Sequence, residues 1–392
     1  MRTVKYSYTH HMPYTGIKRS GQDWPVPNKQ FDPKHGVDLF NRYIEDKVYA
    51  EQTGFDWIGC NEHHMSPYGL MPNPNLVGAV IANRTKTAGI LQTGNIVPIL
   101  NPIRVAEEYA MLDVMSGGRL VAGFMRGIPH EYVAYNVSPD ESYARMEEAM
   151  ALIKKAWSEP EPFGWEGEFY QYRAVSIWPK PVQKPFPTMV MSATSERSTR
   201  LAAKHRAVAG ILALTDMDDG RANITRFKQY AREEGWEPTN DHILVGANCC
   251  IAPTYDEAKQ ILEKGQEYFF GVLGGGIRTA QNLVVQKTRF YGTSEEAEKL
   301  KNKFVNMKMG MKKLSFDERV EMGLMICGTP DMAVEQITRM HKELGNNRLG
   351  LSIKIGDISD DHVTRTQDYL RDIVFPATRH LGEILNPAQA AE

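Results

Sequence analysis

Eight short apolar runs, separated by longer segments of helical periodicity, most constrain how this chain of 392 residues can fold. Within each run the apolar residues are nearly continuous, as burial on both faces of a parallel sheet requires. Eight parallel strands, each followed by a helix, are what a closed (β/α)8 barrel requires. The sequence therefore predicts an α/β fold, a (β/α)8 TIM barrel with insertions, with strands in TVKYSY, FDWIGC, ILQTGNIV, RLVAGFM, TMVMSA, AVAGILAL, ILVGANCCI and RLGLSIKI.

The segments between these runs predict amphipathic helices. Apolar residues recur there at the three- and four-residue spacing that places them on one helical face, which we expect to pack on the barrel. Two such stripes are clear, one ahead of Gly54 and one ahead of the fifth run; their members are Val37, Phe40, Ile44 and Val48, and Tyr143, Met146, Met150, Ile153 and Trp157.

Two segments interrupt the alternation within what we expect to be a single domain over residues 1–392. The Pro- and aromatic-rich stretch 159–187 predicts a short hairpin between the fourth helix and the fifth strand. A longer insertion at about 266–317 contains three consecutive glycines. It is interpreted either as a lid over the catalytic side of the barrel or as a plain surface excursion.

The charge pattern and the cysteine spacing indicate which classes of partner and which compartment to expect. Forty-six basic and 48 acidic residues are mixed along the chain, which gives no reason to expect nucleic acid or an anionic membrane as a partner. No segment approaches the ~20 consecutive apolar residues of a membrane span. The four cysteines have no C-x-x-C spacing, which favours a reduced, cytoplasmic protein.

Polar residues follow the predicted strands where a barrel gathers its strand ends at one mouth. Glu62, His63 and His64 follow the second strand, and His10 and His11 follow the first. Such histidines are ligands for iron or zinc, ordinary loop residues, or hydrogen-bonded core residues. A metal-dependent hydrolase is weakened because the strands RLVAGFM and AVAGILAL end without carboxylate ligands.

A phosphate site is predicted at the ends of the fourth and fifth strands. Ser192, Thr194, Ser195 and Ser198 crowd the start of a helix, where free N–H groups and the helix dipole favour an anion. Simple helix capping explains one of these hydroxyls equally well. Arg126 at the end of the fourth strand adds a cationic fork, unless it is an ordinary salt-bridged arginine. No Rossmann G-x-G-x-x-G follows a strand and no P-loop motif occurs, so the phosphate belongs to another type of cofactor.

Five motifs in order resemble the bacterial luciferase-like family of flavin-dependent monooxygenases, which includes the alkanal monooxygenase alpha chains. They are EHHMSPYGL, NPIRVAEEYAMLDVMSGGRL, MRGIPHEY, SATSERSTRLAA and CGTPDMAVEQI, and they cover nearly the whole chain. The resemblance implies a barrel that binds reduced FMN, admits O2, forms a C4a-peroxyflavin and inserts one oxygen atom into an organic substrate.

The resemblance also assigns residues. His63 matches the catalytic histidine near the reacting edge of the flavin, and Arg126 matches the phosphate-binding arginine. Gly94 and Asn95 match the position that passes against the ring, often through a non-prolyl cis peptide. Two departures make light emission doubtful, because Met125 stands in place of a cysteine and Ala193 in place of an acid. The phosphate loop is matched by Thr194, Ser195 and Ser198.

By this resemblance we expect the oxygenase of a two-component system, with reduced FMN supplied by a separate NAD(P)H-dependent flavin reductase. Two alternatives stay open: an F420-dependent hydride-transfer enzyme on the same barrel, and a flavin-binding protein without turnover. The family also implies a homodimer or larger assembly, formed through the helices that flank the second and third strands. The expected pocket for a small, largely apolar substrate consists of Tyr8, His10, His11, Tyr14, His64 and Trp178.

Overall fold

The computed structural model describes residues 3–17, 25–212, 214, 216–274 and 314–384. Its strands are β1 (Lys5–Thr9), β2 (Trp57–Cys60), β3 (Gly89–Gln92), β4 (Asn95–Ile96), β5 (Leu120–Met125), β6 (Phe163–Glu166), β7 (Gln171–Val175), β8 (Thr188–Ser192), β9 (Val208–Ile211), β10 (Ile243–Ile251), β11 (Met325–Gly328) and β12 (Arg348–Ser352).

The helices in the first half are α1 (Pro33–Gln52), α2 (Pro74–Arg84), α3 (Pro102–Met115), α4 (Pro129–Tyr135), α5 (Ser142–Ser158) and α6 (Glu196–Lys204). Those that follow are α7 (Met217–Glu233), α8 (Tyr255–Glu267), α9 (Phe316–Glu321), α10 (Pro330–Leu344), α11 (Asp360–Tyr369), α12 (Phe375–Thr378) and α13 (Leu381–Ile384). The turns Tyr268–Leu273 and Leu370–Val374 are π-helical.

Eight parallel strands close into a barrel in the order β1, β2, β3, β5, β8, β9, β10 and β12, with β12 pairing back to β1. Each of these strands lies within one of the eight predicted runs, extending beyond it by at most one residue, so the predicted (β/α)8 barrel is confirmed. The short strand β4 pairs with β5, and β11 pairs with the end of β10 beyond the section that pairs with β12. The predicted hairpin is also present, as the antiparallel pair β6 and β7.

Of the two predicted helical faces, the one on α5 is fully buried and the one on α1 is buried only in part, with Phe40 packed against the core. All members of the stripe on α5 are buried, from Tyr143 to Trp157. On α1, Val37 is 60 % exposed, and the buried face contains Leu39, Tyr43 and the charged Lys47 instead. Lys47 is accommodated because its ammonium group donates to the carbonyl oxygen of Gly59. A buried face that includes charged residues does not show in an apolar pattern.

The lumen of the barrel is filled at its middle by a separate cluster of apolar side chains from alternate strand positions. Two residues further along their strands, Gly123 and Gly246 face the same way. A Cβ at Gly123 would overlap the carbonyl oxygen of Gln92, and one at Gly246 would overlap that of Leu212. Main chain from the neighbouring strand ends therefore crosses above the lumen and floors the mouth. The cluster below it consists of Trp57, Leu91, Val121, Val190, Val208 and Leu244.

Most of the predicted lid at 266–317 cannot be compared with the prediction, because residues 275–313 lie outside the described residues. The prediction that residues 1–392 form a single domain stays a prediction. Among the residues described, no helix is both long enough and apolar enough to cross a membrane.

Replacing Gly123 with alanine should destabilise the protein by about 2–3 kcal/mol, since the added methyl group meets main chain that cannot move aside. Urea unfolding of wild type and Gly123→Ala would measure the change. Gly164→Ala on β6 is the matched control, because a Cβ there would make ordinary contacts of 3.5 and 3.6 Å. Equal stability of the two variants would contradict the proposed crossing of main chain above Gly123.

Candidate functional site

A buried carboxylate ties the end of β2 to the neighbouring strand. Glu62 accepts a hydrogen bond from the main-chain N–H of Ile96 (3.0 Å) through Oε2 and lies 2.6 Å from Nε2 of His64 through Oε1. The other ring nitrogen of His64 lies 3.0 Å from the hydroxyl of Tyr135. Burial raises the pKa of Glu62, and the hydrogen bond with His64 acts in the opposite direction. Both ring nitrogens of His64 contact protein groups, so this histidine orders the rim, and its place in the substrate pocket stays a prediction.

His63 points the other way and forms the accessible part of the rim. Its Nδ1 lies 3.1 Å from Oε1 of Glu131, and its side chain keeps 17 % of its surface exposed. The imidazole stacks on His11 (5.3 Å between ring centroids) and meets Tyr68 edge to face at 5.0 Å. Phe269 packs on Tyr68 at 4.4 Å. His63 thus lies between a buried carboxylate and an aromatic group formed by His11, Tyr68 and Phe269.

Burial keeps the two accessible imidazoles neutral. It lowers the pKa of His63 to about 3, with a smaller contribution from His64, and it lowers the pKa of His11 to about 3. The same cause raises the pKa of the Glu131 carboxyl to about 7, against the opposing effect of His130. Near neutral pH, the group that can change its charge beside His63 is therefore the carboxyl and not the imidazole.

The short helix α4 contacts both histidines and the predicted phosphate arginine. Glu131 reaches His63, and the next residue, Tyr132, accepts a hydrogen bond from Nη1 of Arg126 (3.2 Å). Tyr132 also donates to the main-chain oxygen of Arg126 (2.6 Å). One turn on, Tyr135 reaches His64. The residues predicted at the ends of β2 and β5 are therefore brought together on one rim by α4.

The predicted phosphate residues lie at the ends of β5 and β8. Arg126 also donates to Ser142 Oγ (3.2 Å), and its guanidinium lies 4.8 Å from the ring centre of Tyr143. Arg197 on α6 lies over the same ring at 4.1 Å, while the Tyr143 hydroxyl lies 3.1 Å from Ser195 Oγ. A small pocket between these groups is lined by Phe124, Arg126, Tyr143, Met146, Met191, Ser192, Ser198 and Leu201.

The hydroxyls at the start of α6 also cap the helix. Ser195 is the N-cap and accepts from the N–H of Ser198 (3.3 Å), while Ser198 Oγ accepts from the N–H of Ser195 (3.0 Å). Thr194 is exposed, and its hydroxyl lies 3.3 Å from Ser192 Oγ. These hydroxyls therefore do cap the helix, as the alternative interpretation expected. The capping also orders the helix end at which an anion would bind.

The segment after β3 contains a cis peptide bond between Thr93 and Gly94. Asn95 is buried, and its side-chain amide exchanges two hydrogen bonds with that of Asn75 (3.0 and 3.2 Å). The main-chain N–H of Asn95 donates to the hydroxyl of Tyr109 (3.2 Å). Met125 packs on the apolar cluster of the lumen, so its side chain points into the barrel.

Three of the predicted pocket residues point away from the mouth. Tyr8 and His10 alternate with Ser7 and Thr9 on β1 and face α1, where the ring of His10 lies 5.1 Å from that of Tyr43. Tyr8 and His10, predicted for the substrate pocket, therefore lie on the side of β1 that faces away from the lumen. Trp178 is 87 % exposed in the connection that leads into the first residue of β8, at the opposite end of the barrel. Trp178 is therefore not brought together with His63 and His11.

Tyr14 lies near the mouth, but its hydroxyl is occupied. It accepts from the N–H of Asp32 (2.8 Å) and donates to the oxygen of Gln30 (3.3 Å), which holds the segment ahead of α1. His11 is the predicted pocket residue whose ring lies beside His63. Among the described residues, no three His, Cys, Asp or Glu side chains are arranged to hold a metal ion.

Sequence reasoning missed Glu131, Tyr68 and Tyr143. Glu131 stands in the motif MRGIPHEY, from which only Met125 and Arg126 were assigned roles. Tyr143 was assigned to the apolar stripe of α5, which is correct for its burial but overlooks its hydroxyl and its two arginine neighbours.

A family model described as luciferase-like monooxygenase matches residues 27–347. The chain belongs to the luciferase-like monooxygenase family. This confirms the resemblance found in the five motifs. The oxygenase component of flavin-dependent trigonelline monooxygenase from Acinetobacter baylyi is 26 % identical to this luciferase-like monooxygenase over 249 residues, covering 62 % of this chain and 68 % of that one. The alkanal monooxygenase alpha chain of Photorhabdus luminescens is 27 % identical over 197 residues, covering 50 % of this chain and 54 % of its own length, so the match spans about half of that relative.

Solved structures share the fold. Monooxygenase RslO1 from Streptomyces bottropensis superposes with a TM-score of 0.70 at 21 % identity, covering 95 % of this luciferase-like monooxygenase and 99 % of that chain. The oxygenating constituent of 3,6-diketocamphane monooxygenase from Pseudomonas putida, in complex with FMN, gives 0.70 at 18 %, covering 92 % and 98 %. An F420-dependent secondary alcohol dehydrogenase gives 0.66 at 18 %, covering 97 % and 100 %. At these identities the likeness establishes the barrel and not the cofactor.

Proposed function

We propose that this luciferase-like monooxygenase binds reduced FMN at the rim of its barrel and, with O2, inserts one oxygen atom into a small organic substrate. The observation that carries the proposal is the placement of Arg126 and His63 on one rim, joined by neighbouring residues of α4. In that arrangement, Arg126 would bind the anionic tail of a cofactor while the neutral imidazole of His63 would lie near its reacting ring.

The residues present fit the phosphate of FMN. Arg126 and Arg197 face one ring beside the N-terminus of α6, so two cations and the positive end of a helix converge there. Ser198 lines the pocket next to Arg126 and offers a hydroxyl. Thr194 and Ser195 would complete the phosphate loop. The residues that would lie along the flavin ring are Gly94, Asn95 and Met125.

Reduced FMN, when bound, supplies the electrons that activate O2. The chain would contribute orientation, exclusion of water and control of protons. Gly94 and Gly123 let main chain floor the mouth without side chains in between. His11, Tyr68 and Phe269 cover one side of His63 and limit the access of water to it. His63 Nε2, the nitrogen that Glu131 does not contact, is the atom that we propose exchanges a proton with the reacting groups.

A separate reductase would deliver the reduced flavin. The support is that one relative is named as an oxygenase component, and that the sequence carries no nicotinamide fingerprint after a strand. The substrate pocket would be bounded by the aromatic group around His11, which favours a small, largely apolar molecule. A cytoplasmic location stays a prediction from the cysteine pattern.

Arg126→Ala should weaken the binding of reduced FMN roughly 10–100-fold, the loss that corresponds to the ~1.5–3 kcal/mol of a charged hydrogen bond. Riboflavin has no phosphate, so its affinity should change little. Anaerobic ultrafiltration with each flavin measures both. Arg200→Ala is the control, because Arg200 is an exposed arginine on α6 that pairs with Glu233. Equal losses for FMN and riboflavin would contradict a phosphate role, and retention of F420 without retention of FMN would overturn the flavin proposal.

His63→Ala should bind reduced FMN as tightly as wild type, because the imidazole lies away from the phosphate pocket. Removal of the proton-exchanging nitrogen should change the rate at which O2 reoxidises the bound flavin by at least ~10-fold. Stopped-flow absorbance of the anaerobic complex mixed with oxygenated buffer provides the rate. His242→Ala, at the opposite end of the barrel ahead of β10, is the control. An unchanged rate in His63→Ala would remove the proposed role of His63.

A homodimer is proposed because α2 and α3 both expose large apolar side chains, which a dimer should bury. Sizing by light scattering should give twice the 44.3 kDa chain mass, and Leu76→Glu with Met111→Glu should give the monomer. Val37→Glu, at an exposed apolar residue of α1, should leave the dimer intact. Wild type at monomer mass would refute the proposal. The exposed residues are Leu76, Val80, Met111, Val114 and Met115.

A further inference from the structure

The contact between His63 and Glu131 has two chemically distinct forms. If Glu131 is ionised, Nδ1–H of His63 donates to the carboxylate, and Nε2 keeps a lone pair that can accept a proton. If Glu131 is protonated, its O–H donates to Nδ1, and a neutral imidazole must then carry its proton on Nε2. The two forms present opposite hydrogen-bonding characters at Nε2 while the ring stays neutral.

The fixed orientation of Glu131 makes this exchange specific. Its Oε2 accepts from the main-chain N–H of Ile128 (2.7 Å), while Oε1 lies 3.1 Å from Nδ1 of His63. The main-chain N–H of His64 also donates to this carboxyl group. The carboxylate has no exposed surface, and Ile128 precedes α4, which begins at Pro129. Because the main-chain N–H groups can only donate, His63 Nδ1 is the partner with which Glu131 can share a proton.

We propose that Glu131 is a positioning residue that sets which ring nitrogen of His63 carries the proton. Nε2 then accepts when Glu131 is ionised and donates when Glu131 is protonated. The importance of this exchange for oxygen chemistry rests on the proposed function, but the exchange itself is a property of the pair.

Of the two residues in the pair, Glu131 is the one that gains or loses a proton near neutral pH. Burial raises the pKa of its carboxyl to about 7 and lowers that of His63 to about 3. On raising the pH through neutrality, Glu131 therefore loses a proton while His63 remains uncharged. The other titratable groups that face the pair are His11 on the loop after β1, Glu62, His64 and Tyr68 on the segment after β2, and His130 on α4.

The substitution Glu131→Gln should keep His63 in a single tautomer, with its proton on Nε2. The N–H of Ile128 requires an acceptor, so the amide oxygen of the glutamine should take that place and turn its NH2 group toward His63. The NH2 group donates to Nδ1, which forces the His63 proton onto Nε2 at every pH. Glu131→Gln thus mimics the protonated acid and cannot ionise.

Nitrogen-15 NMR of histidine-labelled protein tests the proposal without any cofactor. The His63 signals are assigned by their loss in His63→Gln and followed from about pH 5 to about pH 8. Wild type should move from the Nε2–H to the Nδ1–H form as the pH rises, whereas Glu131→Gln should keep Nε2–H throughout. A wild-type His63 that keeps one tautomer over this range, or that becomes doubly protonated within it, overturns the proposal.

Two further variants separate this role from a structural one. Tyr135→Phe removes a hydroxyl from the same helix but contacts His64, so it should leave the His63 titration unchanged. Glu131→Asp should shift or abolish the tautomer change, since the shorter side chain cannot maintain both contacts. The tautomer change can be present while the protein fails to retain reduced FMN. In that event the proposed function fails and the inference stands. Normal reoxidation kinetics with a single His63 tautomer would sink the inference alone.

Discussion

Two buried carboxylates of the same design hold the rim of the barrel together. Glu62 places one oxygen on the N–H of Ile96 and the other on His64. Glu131 places one oxygen on the N–H of Ile128 and the other on His63. A carboxylate removed from water is costly unless hydrogen bonds replace its hydration, so each is stable only while both contacts exist. The positions of the two adjacent histidines therefore depend on main chain from β4 and from the segment that enters α4.

This arrangement divides the two histidines between different tasks. His64 is enclosed, with Tyr135 on its second nitrogen, and serves to connect α4 with the end of β2. His63 leaves one nitrogen away from its carboxylate and stays partly exposed. Adjacent residues at a strand end point in roughly opposite directions, so a pair of neighbouring histidines supplies one structural and one accessible imidazole. This also explains why four histidines near one mouth do not converge as metal ligands would.

The barrel could be predicted because burial on both faces produces continuous apolar runs, and all eight runs became barrel strands. The buried face of α1 could not be predicted in this way, because it includes charged residues. Lys47 is buried through its contact with Gly59, and Asp46 through its contact with Arg42. Tyr8 and His10 were placed at the correct strand end but on the wrong side. The alternation along β1 could have corrected this, because Ser7 and Thr9 occupy the lumen side. Glu131 could not be paired with His63 by pattern, because the two are 68 residues apart in the chain.

Charge is distributed unevenly along the rim, and burial is the reason. At the end near α6, Arg126 and Arg197 are cations under all ordinary conditions, and the helix N-terminus adds to their field. At the other end, burial keeps His11 and His63 neutral. Of these two ends, the α6 end therefore attracts an anionic group, while a proton-exchanging nitrogen at the β2 end is not held as a cation. Were His63 placed among solvated charges, its imidazole would be partly protonated near neutral pH and could not alternate between acceptor and donor without changing the charge of the ring. The low polarity around His63 thus makes the neutral exchange with Glu131 physically accessible.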